Sequence, residues 1–268
     1  MAWTFSSMLM MGCGNMGGAM LAGWLAGGVE PSRFTVVDPF LPQAPQGVTL
    51  LRELPARQFD AVLIGVKPQM LHEVAGGVSA CVGPDTTVFS ILAGVELDTL
   101  SGLFPQARAI VRIMPNLAAA IGRSPMGLAG QGLDQAGQEA VTTLVASLGV
   151  PEWLADEGLF DAVTALAGSG PAFLYRFIDA MARGAVALGL PEDQASRLAL
   201  ATVEGASLLA AASDASPGEL ADRVASPGGT TRAGLDVLDA DDAILQLVGK
   251  TLRAAAERNA EMARAARG

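Results

Sequence analysis

The 268-residue chain has two cysteines, one histidine, one tyrosine and two lysines, and each shortage excludes some chemistry. Cys13 and Cys81 form no CxxC pair and cannot build a disulfide framework, which fits a reducing compartment and makes the cytoplasm the expected location. His72 falls on a stretch after Pro68 that reads as solvated surface, so neither histidine acid-base chemistry nor a metal site is expected. Positive charge is scarce too: 17 basic residues against 27 acidic ones leave a net charge of -10, and the arginines are scattered. Phosphate backbones are bound by clustered Lys and Arg, so no nucleic-acid partner is expected. Every long apolar segment is broken by Gly, Pro or charge before membrane-spanning length, and Met1 to Met11 carries no basic residue ahead of its apolar stretch. Neither a membrane segment nor a secretory signal is expected.

What is abundant is apolar surface, at 51% of residues, enough for one large domain or two ordinary ones. The chain has two textures. Short apolar runs at Met8 to Met11, Phe34 to Val37, Ala61 to Val66, Thr87 to Leu92, Ala109 to Met114, Met126 to Ala129 and Glu152 to Leu154 alternate with helical or polar stretches. That alternation predicts a doubly wound parallel sheet with helices on both faces. Beyond Asp156 the β-branched runs vanish, and Ala/Leu-rich blocks at Gly158 to Leu188, Pro191 to Ala212, Pro217 to Val224, Thr230 to Leu238 and Asp241 to Ala266 predict an all-α half. Pro191 followed by Glu192 and Asp193, and Pro217 followed by Glu219, are first-turn signals. The expected division is an α/β dinucleotide-binding domain over residues 1–157 and a helical domain over 158–268.

Two glycine-rich turns carry the chemistry. Gly12-Cys13-Gly14-Asn15-Met16-Gly17 closes the first predicted strand and opens a helix, and Asp38 ends the second strand 21 residues after Gly17. In that context the glycines permit a tight turn and close approach of a pyrophosphate, while the acid accepts hydrogen bonds from ribose hydroxyls. A carboxylate there repels a ribose phosphate, and Pro39-Phe40-Leu41-Pro42 offers no Arg clamp, so NADH is favoured over NADPH. The strand-end segments Lys67-Pro68, Ala93-Gly94 and Asn116 fall where doubly wound sheets bind ligands: a cation, a small pair that lets a flat ring approach, and an amide. The second turn, Ser226-Pro227-Gly228-Gly229-Thr230-Thr231, opens into an amphipathic helix pattern. It aims backbone N-H groups and hydroxyls at one point before a helix N-terminus, which seats a carboxylate. A third small-residue segment, Gly168-Ser169-Gly170-Pro171-Ala172, allows close helix packing or approach of a ligand.

Together with Val66-Lys67-Pro68, Ala93-Gly94-Val95 and Arg112-Ile113-Met114-Pro115-Asn116, these motifs resemble, in order and spacing, the pyrroline-5-carboxylate reductases. The resemblance spans nearly the whole chain, and the Ser226 to Thr231 turn is its specific part. It implies a Rossmann-type N-terminal domain followed by an all-α dimerisation domain, with the site at the interface of two chains, often within larger rings. It implies reduction of the cyclic imino acid 1-pyrroline-5-carboxylate to L-proline by NADPH or NADH, without a metal. By the same resemblance, Thr231 hydrogen-bonds the substrate ring nitrogen, and Ser226, Gly228, Gly229 and Thr230 hold its carboxylate. Two positions depart from the family pattern: Phe173 stands where a Tyr is usual, and Asp38 replaces positions common in NADPH-preferring members.

Hydride transfer to C=N is easiest when the imine is protonated, and an iminium brings its own proton, so the protein needs orientation and charge placement more than an acid. An enzymatic alternative, a β-hydroxyacid dehydrogenase, needs a base and looks to a Lys on its first interdomain helix, yet Phe160 to Leu188 contains none. A dinucleotide sensor without turnover would have no use for the Ser226 to Thr231 turn. Oxidation of a reduced nicotinamide in the presence of pyrroline-5-carboxylate separates the three.

Overall fold

In the computed structural model, residues 5–267 are described, with side chains described over 5–264. The strands are β1 (Met8–Met11), β2 (Phe34–Val37), β3 (Thr49–Leu51), β4 (Ala61–Ile64), β5 (Thr87–Ser90), β6 (Ala109–Met114), β7 (Ser124–Gln131) and β8 (Gly149–Trp153). The helices are α1 (Asn15–Ala26), α2 (Leu71–Ser79), α3 (Leu97–Leu103), α4 (Gln135–Ala146), α5 (Phe160–Val163), α6 (Gly170–Ala187), α7 (Glu192–Ala211), α8 (Pro217–Arg223), α9 (Thr230–Asp239) and α10 (Ala243–Arg267). The chain forms two compact units, one running to Ser169 and including α10 from Ala255, the other covering Gly170–Ala254.

The first unit is built on one sheet in the order β3-β2-β1-β4-β5-β6-β7-β8. Strands β1, β2, β4 and β5 are buried at every position, as parallel strands covered on both faces must be. Their side chains alternate between two cores: Leu9 and Met11 join Val62, Ile64 and residues of α2 and α3, whereas Met8 and Met10 join Ala61, Leu63 and residues of α1 and α4. Trp24 of α1 fixes the second layer, donating from Nε1 to the Leu144 carbonyl at 2.9 Å and stacking on Phe34 at 5.6 Å.

The sheet departs from the sequence expectation at two places. β7 runs antiparallel to β6, with Val111 opposite Gly130, because only the short Leu117–Ile121 turn and its flanks connect them. A parallel return needs a crossover of a dozen or more residues. The three-residue edge strand β3, only partly buried, was not predicted. β8 then pairs parallel to β7, and α5 continues without a break into a π-helical turn over Thr164–Gly168.

The second unit is helical throughout, as the Ala/Leu-rich texture predicts. α8 begins with a reciprocal capping box: the Ser216 hydroxyl accepts from the Glu219 N-H, and the Glu219 carboxylate accepts from the Ser216 N-H. Its buried apolar cluster is small, made of Ala182, Ala195 and Ala199.

Candidate active site

The C-terminal edge of the first unit's sheet collects the glycine loop, Asp38 and the loops after β4, β5 and β6, because those strands run parallel. The three loop glycines have different reasons. Gly12 has φ +86 and faces the Gly65 backbone, where a Cβ would sit 3.0 Å away. Gly17 lets α1 approach the Gly12 carbonyl, 3.1 Å from a would-be Cβ. Gly14, the exposed cap of α1, has nothing within 4 Å. Among the described residues no packing demands a glycine there and no side chain caps the helix, so the first-turn N-H groups of Asn15, Met16 and Gly17 face an open cradle. An anion such as a pyrophosphate fits that cradle.

The Asp38 carboxylate is pinned beneath this loop. One oxygen accepts from the Cys13 N-H at 2.8 Å, the other from the N-H groups of Phe40 and Leu41 at 2.8 and 3.1 Å. Burial and the Asp38 charge together push the Cys13 thiol up to about 11, so it stays protonated. Lys67 is exposed and precedes a single 3₁₀ turn that Pro68 opens.

Two strand-end residues have intramolecular duties. Gly94, with φ +74, is buried against α10, where a Cβ would stand 3.0 Å from the Ala263 backbone, while Ala93 before it is half-buried. Asn116 is buried and bonded through its backbone N-H and both ends of its amide. Its N-H donates to the Ser124 hydroxyl, its Oδ1 accepts from the Ala118 N-H, and its Nδ2 donates to the Ala167 carbonyl, each at 2.9 Å. The last bond pins the π-helical turn ahead of Ser169, so Asn116 fixes the segment that leads into α6.

The Ser226 to Thr231 turn belongs to the second unit. Pro227 and Gly228 (φ +71) are its central residues, and the Gly229 N-H closes it on the Ser226 carbonyl at 3.0 Å, the arrangement of a type II turn. A side chain at Gly229 would displace the Ser226 hydroxyl, 2.5 Å from a would-be Cβ, and crowd the Ser226 carbonyl at 3.1 Å. It caps α9 without any side-chain capping bond, leaving the N-H groups of Thr230, Thr231 and Arg232 free of intrahelical partners. Ser226, Gly228, Thr230 and Thr231 are exposed, so donors and hydroxyls are presented together.

Sequence reasoning missed two arginines. Arg232 donates to Asp236 at 2.8 Å and Asp239 at 2.9 Å and lies 3.7 Å from Asp222, which ties α9 back to α8 and braces the turn between them. Asp236 and then Asp239 hold its guanidinium above the usual arginine range. Arg52, one residue after β3, donates to the Asp38 and Leu41 carbonyls at 2.6 and 2.7 Å. The Asp236 and Asp239 partners of Arg232 are legible as i+4 and i+7 spacing on one helix, whereas its approach to Asp222 and the partners of Arg52 are assembled by the fold.

The family model for pyrroline-5-carboxylate reductase dimerisation matches residues 157–262. A pyrroline-5-carboxylate reductase of Pseudomonas aeruginosa is 34% identical over 261 residues, covering 94% of this chain and 95% of that protein. Among solved structures, that of a pyrroline-5-carboxylate reductase from Coxiella burnetii is similar at 28% identity and a TM-score of 0.88, covering 96% of this chain and 98% of that one. A pyrroline carboxylate reductase from Plasmodium falciparum, solved with NADP bound, shares the fold at 24% identity and a TM-score of 0.84, covering 98% of this chain and all of the other.

Proposed function

The chain belongs to the pyrroline-5-carboxylate reductase family, and from that premise we infer which of its residues carry the reaction. It is an NAD(P)H-dependent reductase of proline biosynthesis that converts 1-pyrroline-5-carboxylate to L-proline, and it carries the family's homodimerising domain. Bound NAD(P)H supplies the hydride.

In this reading Gly12, Gly14, Asn15, Met16 and Gly17 hold the dinucleotide's phosphates, with Asp38 on the adenosine ribose and Lys67, Pro68, Ala93, Gly94 and Asn116 along the remaining strand ends. The first turn of α1, which no side chain caps and which has open space at Gly14, supports this. Asn116 contributes by holding the Ala167 carbonyl. Asp38 tilts the preference towards NADH.

The substrate carboxylate sits at Ser226, Gly228, Gly229 and Thr230, on backbone donors at the start of α9. The Thr231 hydroxyl aligns the ring nitrogen. A threonine is too weak an acid to protonate the imine, so its role is to orient an iminium that arrives protonated. The observation that carries this assignment is the set of free first-turn donors beside two exposed threonine hydroxyls. Residues 1–157 serve the cofactor and 158–268 the substrate and dimerisation; two chains share each site, the dimers assemble into a larger ring, and the enzyme works in the cytoplasm. The test follows the absorbance of NADH and NADPH with pyrroline-5-carboxylate while proline is quantified. Equimolar cofactor oxidation and proline formation, faster with NADH at equal concentration, is the expected result. Oxidation without proline would overturn the substrate assignment, and a strong NADPH preference the cofactor tilt.

A further inference from the structure

The choice between the two nicotinamide cofactors rests on a single phosphate on the adenosine ribose, and a second group beside Asp38 bears on it. Asp38 and Arg52 follow adjacent parallel strands in register, with the Asp38 N-H donating to the Leu51 carbonyl at 3.3 Å. Both therefore stand at the edge where open α/β sheets bind nucleotides. The Asp38 carboxylate already receives three backbone N-H groups, which offset part of its charge.

Arg52 is the reverse case. It is exposed, and the bonds it makes go from one nitrogen, Nη1, to two backbone carbonyls. Among the described residues no carboxylate forms a salt bridge with it, whereas Arg232, Arg197 and Arg258 are all paired with acids. A guanidinium has five N-H donors in a planar fork, so Arg52 keeps donors and a whole positive charge beside the ribose-reading acid. The other nearby arginine cannot serve. Arg33 lies ahead of β2, at the opposite end of the strand, and donates to the Phe5 carbonyl at 3.0 Å.

We propose that Arg52 is the residue through which this reductase accepts the ribose 2′-phosphate of NADPH, in opposition to Asp38. The proposal rests on the dinucleotide reading of the glycine loop and deepens it. Asp38 disfavours the phosphate, Arg52 recovers it with charge-assisted bonds, and the ratio of the two cofactors follows from the balance. Because Arg52 also clips the carbonyls of residues 38 and 41, a test must separate its charge from its clip.

Binding to the substrate-free dimer is measured by calorimetry with two probes that differ only in the phosphate of interest, adenosine 2′,5′-bisphosphate and adenosine 5′-monophosphate. Arg52→Gln keeps an N-H donor for the carbonyls but removes the charge. It should weaken the bisphosphate roughly tenfold and leave the monophosphate within about twofold. Arg52→Lys should keep most of the bisphosphate affinity. Asp38→Asn should tighten the bisphosphate relative to the monophosphate, and the wild-type preference between the probes should shrink from low to high salt. Equal loss of both probes in Arg52→Gln would make Arg52 a loop clip and overturn the proposal, as would no change in either. If the wild type binds neither probe, the cofactor reading falls and the proposal with it. If it binds both and Arg52→Gln leaves the ratio of the two affinities unchanged, the cofactor reading stands and the proposal alone falls.

Discussion

The two compact units differ in how completely one chain finishes them. The first buries Trp24, Phe34, Phe89 and Phe104 entirely and saturates its cores on both faces of the sheet. The second buries three alanines, while Leu188, Leu209 and Val237 are 91%, 72% and 72% exposed. A soluble monomer rarely leaves so much apolar surface in water. The first unit builds its own aromatic core from one chain, although Phe40 and Ile121 stay exposed, and the second leaves an apolar surface for a second copy, in keeping with the dimerisation family it matches. The glycine loop after β1 is braced by its bond to Asp38, whereas the Ser226 to Thr231 turn presents exposed hydroxyls.

The largest effect should come from breaking the interface. Phe173, Phe177, Ile244, Leu247, Val248 and Leu252 line an apolar groove of about 590 Å³ between α6 and α10, within the second unit. Leu247→Glu places a charge there and should weaken dimerisation by roughly 2 to 4 kcal/mol, the scale of an interface hot spot. Sedimentation velocity should then find monomer, with activity lost at assay concentrations. An active Leu247→Glu dimer would show that this groove is not the interface. The counterpart in the first unit is Gly23→Ala on α1, whose Cβ would stand 2.1 Å from the Ala119 carbonyl. Overpacking there should cost about 3 kcal/mol in thermal or denaturant unfolding. If the units are finished differently, it should lower stability while the dimer's sedimentation is unchanged.

Next comes the exposed turn. Thr231→Ala should cost roughly 1.5 to 3 kcal/mol in kcat/KM for the imine, the range for a hydrogen bond to a charged group, with cofactor binding intact. Thr231→Ser should recover most of it. Thr230→Ala should cost less, because the backbone donors survive. Near-wild-type kcat/KM for both alanine variants would make the turn a helix start and nothing more.

How much of this was legible in the sequence follows the same division. The central strands were readable because burial on both faces leaves uninterrupted apolar runs, as in Met8 to Met11. β3 was passed over although Val48-Thr49-Leu50-Leu51 has the texture of Phe34 to Val37, because it is only three residues long and follows directly on a turn-rich loop. The reversal at β7 lay in a connection length rather than in residue type. In the site, the glycine motifs announced themselves, but the reason for each glycine did not. Gly94 looked like room for a ring, and it faces Ala263 at the far end of the chain. Asn116 looked like a ligand amide, and both ends of it are bonded within the protein. Arg52 was invisible because only strand pairing brings it to Asp38.

The smallest expected effect tests whether the first unit's order extends to its glycine loop. Cys13 lies between Gly12 and Gly14, yet its thiol is buried, and burial first, then the Asp38 charge, raises it from 9.0 to about 11. A group that ionises at higher pH in the folded chain binds more protons there between those values, so stability should be level below pH 9 and fall as pH rises towards 11. Cys13→Ala, which keeps the N-H that Asp38 accepts, should flatten that fall. The same burial should protect the thiol from alkylation. At pH 8 a thiol titrating near 11 is roughly one-thousandth thiolate, against roughly a tenth for one titrating at 9, so labelling should be about a hundredfold slower in the native protein than after unfolding. Cys81 is also raised by burial, so the labelled peptides must be separated and each rate read on its own. Adenosine 5′-monophosphate should leave an already slow Cys13 rate nearly unchanged. Fast native labelling of Cys13, abolished by the nucleotide, would mean that the loop opens in solution and that the braced order of the first unit stops short of it.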